Sequence, residues 1–374
     1  MTKQRTTLAE IADAAGVSVA TVSKVLNDRV DVAPETRRRV QKHLRQSEYR
    51  PAGSNGARSR DQSRSIEVVF PELQNAYIIG VLEGITSSAA ADGFEVVIGR
   101  TLSLNSRVVN PQALLRSEHV GAIFITADAS SESLKALDDA GFPVVVVDPV
   151  RVGDTTCITI GATNFTGGVT AAEHLLSLGH RRIGHAGGPH SVDLSHARLA
   201  GYSSALRKTG IELDETLITH CAFAYDAARE AAGELLDRSD RPTAIFAASD
   251  EIALGIMEEA RRRSIRIPQD LSIVGFDDTF LASRSAPPLT TVAQPLLEMG
   301  RVATRSLAQM ITNDVVGTRH IELATRLVIR NSTAPPSQSA SSSTSGTHSV
   351  ADPAPERQGL EFNVDRDLSR TDGH

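Results

Sequence analysis

AEIADAAGVSVATVSKVLN, residues 9–27, reads as helix, glycine-containing turn, helix. Leu8, Ile11, Ala12 and Ala15 recur at helical spacing and form one apolar stripe. Thr7-Leu8-Ala9-Glu10 has the form of a capping box, in which the Thr7 hydroxyl accepts from the Glu10 N–H and Glu10 reaches back. Gly16 stops this helix, and Ser18 can cap a second one over Val19–Leu26. At ~100° per residue, Val22, Val25 and Leu26 fall on one side and can pack on the first helix. Ala20, Ser23 and Lys24 fall on the other, with Val19 at its N-terminal edge. Such a small, polar face with one cation suits a major groove. Short side chains let the helix approach, methyls meet thymine methyls, and a lysine reaches guanine or phosphate. Thr21 and Ser23 suit phosphate oxygens. Pro34 fits the first turn of a third helix, about 35–47. The spacing alone equally describes an αα corner in a small bundle.

Charge separates these readings. The chain carries a formal −6, yet residues 1–64 hold thirteen Lys/Arg against seven Asp/Glu, a net +6 that leaves −12 for the rest. A basic head on an acidic body points to a polyanion partner for the head. At 374 residues, 40% hydrophobic and 22% charged, the chain suits two to three domains of α/β type. Cys157 and Cys221 lie far apart and predict a reducing compartment without a disulfide framework. The longest apolar run, about 142–147, is far short of the ~20 residues a membrane span needs. MTKQRTTLAEIADAAG has no apolar signal region, so a cytoplasmic location is expected.

From Ile66 to about Arg330 the pattern changes. β-rich runs recur: IEVVF (66–70), FEVVIG (94–99), GAIFIT (121–126), PVVVVD (143–148), CITIG (157–161), RRIGHAG (181–187), TAIFAAS (243–249) and LSIVGFD (271–277). Helical stretches such as 78–91, 167–178, 195–209, 226–236 and 252–263 separate them. This is the rhythm of parallel sheets covered on both faces, with too many units for one sheet. Residues 332–374 are rich in Ser, Thr and Pro and are expected to be a disordered tail.

TLAEIADAAGVSVATVSKVLN, TRRRVQKHL (36–44) and Tyr49-Arg50-Pro51 resemble the headpiece of the lac-repressor (LacI/GalR) transcription regulators. HLLSLGHRRIGHAGGP (174–189), ARLAGY (197–202), RPTAIFAASDEIALGIMEEARRRSIRIPQDLSIVGFDD (241–278) and PPLTTVAQP (287–295) follow the family's core, so the resemblance spans roughly residues 6–330. It implies an α-helical helix-turn-helix headpiece (1–49), a hinge or linker (50–65), and an α/β core (66–331) of two Rossmann-like lobes resembling a periplasmic binding protein. Lobe 1 is expected at about 66–162 and 293–320, lobe 2 at about 163–292 and 321–331. It also implies a homodimeric repressor on a near-palindromic double-stranded operator. A small molecule, expected to be a sugar, sits between the lobes and shifts their orientation.

The matching base-reading positions are Val19, Ala20 and Lys24. Thr21, Ser23 and Asn27 match phosphate- or headpiece-supporting positions, and the capping Thr7 and Ser18 complete the expected DNA-binding set. For the effector, Arg198 matches the family's ligand-bonding arginine, whose five donors suit vicinal hydroxyls or a carboxylate. Asp148 and Asp277 match carboxylates at strand ends, where open α/β sheets bind ligands. Ser249 and Asp250 match the pair after TAIFAA, although asparagine is more usual at the first. Phe223 matches an aromatic wall, Tyr77 lies where an entry helix lines the cleft, and Asn164 and Gln294 lie near lobe crossings. Each has a plainer alternative: the aspartates could cap helices, Phe223 could be core and Arg198 could pair with a surface acid. With no Trp, stacking on a sugar face falls to Phe or Tyr.

Other signals carry less. His180, His185, His190 and His196 cluster in sequence, but their spacing matches no standard metal site. GHAGGP is not G-x-G-x-x-G, and no G-x-S-x-G occurs. Asp250-Glu251 and Asp277-Asp278 are adjacent in sequence, which does not make a facing catalytic pair. No metal, cofactor, membrane or enzymatic activity is expected. The rival reading is a solute-binding protein or sugar enzyme with a vestigial headpiece.

In the family, the stretch after Tyr-x-Pro folds on DNA into a hinge helix whose leucine wedges into the minor groove. Here that stretch is RPAGSNGARSRDQSRS (50–65), and alignment puts Arg58 or Arg60 where the leucine belongs. Gly53 and Gly56 would each cost about 1 kcal/mol relative to Ala in a helix. The expectation is a looser basic arm, with Arg58 and Arg60 entering or flanking a narrow minor groove by charge. Such an arm bends its operator less than a leucine wedge does. A circular-permutation gel checks this, and a strong central kink would refute it.

Overall fold

The computed structural model describes residues 8–26, 32–46, 64–71, 75–99, 102–103, 106–127, 129–151, 157–312 and 318–337. It divides into two compact units between residues 63 and 64. In the first unit, α1 (Leu8–Ala15), α2 (Val19–Leu26) and α3 (Pro34–Gln46) follow one another. Gly16, at φ +61°, makes the left-handed turn that ends α1. Ser18 caps α2, its Oγ accepting from Thr21 N at 3.2 Å. Ile11, Ala12 and Ala15 of α1, Val22 and Val25 of α2 and Val40 of α3 form the core. On the other side of α2, Val19 is 45% exposed and Ala20 and Lys24 are exposed, with Thr21 and Ser23 half-buried. The expected cap residue Thr7, together with Asn27, Arg58 and Arg60, lies outside the described residues.

The second unit holds two sheets. Lobe 1 runs β1 (Arg64–Val69), α4 (Ala76–Ala91), β2 (Phe94–Ile98), the hairpin β3 (Leu102–Ser103) and β4 (Ser106–Val109), α5 (Pro111–Arg116), β5 (Gly121–Ile125), α6 (Ser131–Asp139), β6 (Val144–Val147) and β7 (Ile158–Ala162). Lobe 2 runs α7 (Asn164–Ser177), β8 (Ile183–Gly187), α8 (Asp193–Lys208), β9 (Ile218–His220), α9 (Tyr225–Leu236), β10 (Ala244–Ala247), α10 (Asp250–Arg262), β11 (Ser272–Asp277), α11 (Phe280–Arg284) and β12 (Thr290–Ala293). The chain then returns to lobe 1 for α12 (Leu296–Thr312) and β13 (His320–Leu323), and ends in lobe 2 with β14 (Arg326–Val328). The first sheet has the order β13-β7-β6-β5-β1-β2, every pair parallel. The second has the order β14-β12-β11-β10-β8-β9, parallel except for the antiparallel β14. Central strands such as Val144–Val147 and Ala244–Ala247 are buried throughout, as strands covered on both faces must be. Among the described residues no helix is long and apolar enough to cross a membrane.

Three details depart from the sequence expectations. β1 begins at Arg64, inside the expected linker. β13 pairs with β7 through Leu323, because Ile321 and Leu323 pack on the lobe 1 core, so the last crossing lies between Leu323 and Arg326 rather than at 320/321. The expected tail is also wrong in its first residues: 332–337 form a strap on lobe 2. The fully buried Ser332 accepts at Oγ from Thr290 N (2.8 Å) and donates to Ile273 O (2.6 Å), and its own carbonyl accepts from Ile273 N (2.8 Å). Ala334 N donates to Ser272 Oγ (3.0 Å), and Ala334 O accepts from His180 Nε2 (2.9 Å). These small polar residues look like linker by composition and are held by backbone and side-chain hydrogen bonds together. The remaining tail lies outside the described residues. Ser332→Ala strips the Thr290 amide and the Ile273 carbonyl of a buried partner. It should cost about 2–4 kcal/mol in denaturant unfolding, far more than an exposed serine.

Candidate functional site

The carboxyl ends of both sheets face one cleft, a cavity of about 320 Å³. Its walls are set by residues just after strands: Thr126 after β5, Asp148 after β6, Pro189 after β8, Ser249 after β10, and Asp277 ending β11. Thr126 (φ 47°), Asp148 (φ 45°) and Asp277 (φ 110°) all turn left-handed there. For non-glycine residues this strain costs on the order of 1–3 kcal/mol each, and it clusters where the chain must present a side chain to a ligand.

Arg198 sits at the centre and is only 2% exposed. α8 carries it, and α8 reaches the cleft because Gly168 and Gly201 let α7 and α8 touch backbone to backbone. A Cβ on Gly168 would lie 2.2 Å from Arg198 O, and one on Gly201 2.1 Å from Phe165 O. The guanidinium lies 3.8 Å over the Phe276 ring. Its Nε donates to Asn164 Oδ1 (2.8 Å), and Nη1 donates to the Ala248 carbonyl and lies 3.7 Å from Asp277 Oδ1. Nη2 bonds nothing among the described residues. Asp277 Oδ1 also accepts from Gln294 Nε2 (2.6 Å), and Tyr77 Oη donates to Asp148 Oδ2 (2.6 Å). Ser249 caps α10, its Oγ accepting from Ile252 N (3.2 Å). Asp250 accepts at Oδ2 from Thr279 N (2.6 Å) and Oγ1 (3.0 Å), and at Oδ1 from Thr291 Oγ1 (2.6 Å).

Burial dominates the electrostatics. It raises Asp148 and pushes Asp277 well above the usual carboxylate range, although Arg198 pulls both down. It lifts Asp250 to about 7 despite the three hydrogen bonds it accepts. Burial also lowers Arg198, and the three surrounding aspartates resist that shift.

Of the nine expected effector residues, Tyr77, Asp148, Arg198, Phe223, Ser249 and Asp277 line the cavity. Asn164, Asp250 and Gln294 do not. Asn164 holds Arg198, Gln294 holds Asp277, and Asp250 holds the backbone of Thr279. Each of the three thus stands one hydrogen bond behind a residue that lines the cavity. Four polar liners were missed: Asn75, Thr126, Glu251 and Thr279. Thr126 follows the GAIFI run just as Asp148 follows PVVVV, a positional signal legible in the sequence. Of the clustered histidines, His180 and His185 are buried, and burial lowers His185 to about 3, while the His190 ring lies tilted against His220 with centroids 3.7 Å apart. Among the described residues no three His, Cys, Asp or Glu side chains could hold a metal ion.

The helix-turn-helix unit and the two-lobe cleft have counterparts among known proteins. Residues 7–52 match the family model of bacterial regulatory proteins, lacI family, and residues 172–333 match a periplasmic binding protein-like domain. The HTH-type transcriptional regulator DegA of Bacillus subtilis is 35% identical over 338 residues, 88% of this chain and 99% of DegA. The chain belongs to the LacI family of regulators. Two solved LacI-family structures extend the likeness. A transcriptional regulator CelR–cellobiose complex superposes with TM-score 0.66 at 31% identity, covering 88% of this chain and all of that one. A lac repressor dimer bound to operator and the anti-inducer ONPF gives 0.63 at 27%, also over 88% of this chain and all of that one.

The aspartates give this LacI-family core a pH signature. Folded Asp250 holds its proton to about pH 7, whereas an unfolded aspartate releases it near ~4. Its contribution to stability is therefore present at low pH and lost as pH rises between those values. Asp250→Asn should flatten this fall, measured as unfolding midpoints across about pH 4 to 7.

Proposed function

We propose that this LacI-family regulator is a cytoplasmic, homodimeric repressor whose hold on a near-palindromic operator is set by a sugar bound between the lobes. The observation that carries the reading is the Arg198 guanidinium, which lines a cavity whose other walls carry acceptors on Asp148, Asp277 and Ser249. A sugar hydroxyl both donates and accepts, so adjacent hydroxyls can satisfy a guanidinium and a carboxylate together. Phe223 supplies the apolar wall that a ring face needs. The relative solved as a complex with cellobiose and the lac repressor dimer on its operator support both halves of the reading. On α2, exposed Val19, Ala20 and Lys24 are proposed to meet base edges, and Ser18, Thr21 and Ser23 to meet backbone phosphates or brace the helix. Thr7, Asn27, Arg58 and Arg60 are proposed for the same interface on sequence grounds. No catalytic role is assigned to the cleft carboxylates.

Fluorescence anisotropy with DNA from upstream of its own gene tests the first half. Affinity should fall steeply with salt, because phosphate contacts release counterions. Absent or salt-insensitive binding would overturn the reading. Arg198→Ala should keep operator binding and lose the response to effector, and a normal response would displace the proposed site.

A further inference from the structure

α4 is the first helix after the segment that leads from the headpiece, and its amino terminus is capped by both lobes. Asn75 Oδ1 accepts from Tyr77 N (2.9 Å) and Ile78 N (3.4 Å). That leaves the first helical amide, Ala76 N, on a residue only 3% exposed. Its partner comes from lobe 2: Glu251 Oε1, in the first turn of α10, accepts from Ala76 N at 3.2 Å. The bond joins residues 175 apart in sequence and places a carboxylate at the positive end of α4. Asn75 and Glu251 both line the cavity. A second inter-lobe bond, Asp193 N to Val150 O (3.0 Å), lies at another part of the rim, where Val150 and the two chain neighbours of Asp193, Val192 and Leu194, line the cavity.

We infer that Glu251 is a positioning residue that clamps the two lobes, because the cap of α4 is complete only in this lobe orientation. When the lobes separate, Ala76 N–H loses its acceptor and the carboxylate leaves the helix end, so separation is opposed at one named bond. The inference depends on the two-lobe core alone and not on which effector, if any, the cleft takes.

The test needs neither effector nor operator. Spin labels at Lys135→Cys on α6 and Glu230→Cys on α9, both exposed, report the lobe-to-lobe distance by pulsed electron resonance. The background carries Cys157→Ala and Cys221→Ala, and labelled chain is diluted with unlabelled chain so that only intrachain distances are read. Glu251→Ala should move population from the short-distance peak to longer, broader distances, lowering the closed-to-open ratio roughly three- to tenfold. Glu251→Gln keeps an oxygen that accepts from Ala76 N and should retain most of the short-distance peak. An unchanged distribution in Glu251→Ala overturns the inference, and so does a shift in Glu251→Gln as large as that in Glu251→Ala. Failure here leaves the operator reading standing, since that is tested by DNA binding.

Discussion

Burying one guanidinium constrains much of the core. An isolated charge taken out of water costs several kcal/mol after relaxation, repaid only if its donors and its charge are matched in place. Arg198 is matched by Asn164, the Ala248 carbonyl, the Phe276 face and Asp277. They come from three elements: the start of α7, the loop after β10, and two positions of β11. Asp277 is in turn held by Gln294 after β12. The charge thus pins the carboxyl ends of three neighbouring strands and the helix that crosses into lobe 2.

The same arrangement explains the close helix pair. α8 can bring its arginine beneath the strand ends only if it lies against α7 without side chains between, and Gly168 and Gly201 make that possible. Left-handed turns at Thr126, Asp148 and Asp277 complete the geometry from the strand side. Packing and strain are here two parts of one solution, in which dense contacts elsewhere hold conformations that the local chain disfavours.

Much of this was legible in the sequence. Continuous apolar runs such as PVVVV mark buried parallel strands, and the α2 wheel separates Val22 and Val25 from Ala20 and Lys24. What spacing could not do was rank polar residues by distance from the cleft. Asn164, Gln294 and Asp250 hold the liners Arg198, Asp277 and Thr279 by hydrogen bonds without lining the cavity themselves, a difference that exists only in three dimensions. The lobe boundary near residue 320 is hard to read from sequence because His320–Leu323 is short and half-exposed, and only pairing with β7 and the packing of Ile321 and Leu323 on the lobe 1 core place it. In the sequence Glu251 is only one of two adjacent acids. Its meaning depends on a helix end 175 residues away in sequence.

The strap at 332–337 has an architectural consequence. It fastens to Ser272, Ile273 and Thr290, at the amino ends of β11 and β12, while the cleft lies at their carboxyl ends. Lobe 2 therefore hands the chain onward from its far pole. A fluorescent protein, affinity handle or surface tether fused beyond Pro336 starts a full strand length from the cleft mouth. The core can be immobilised by that pole with its opening left facing solution.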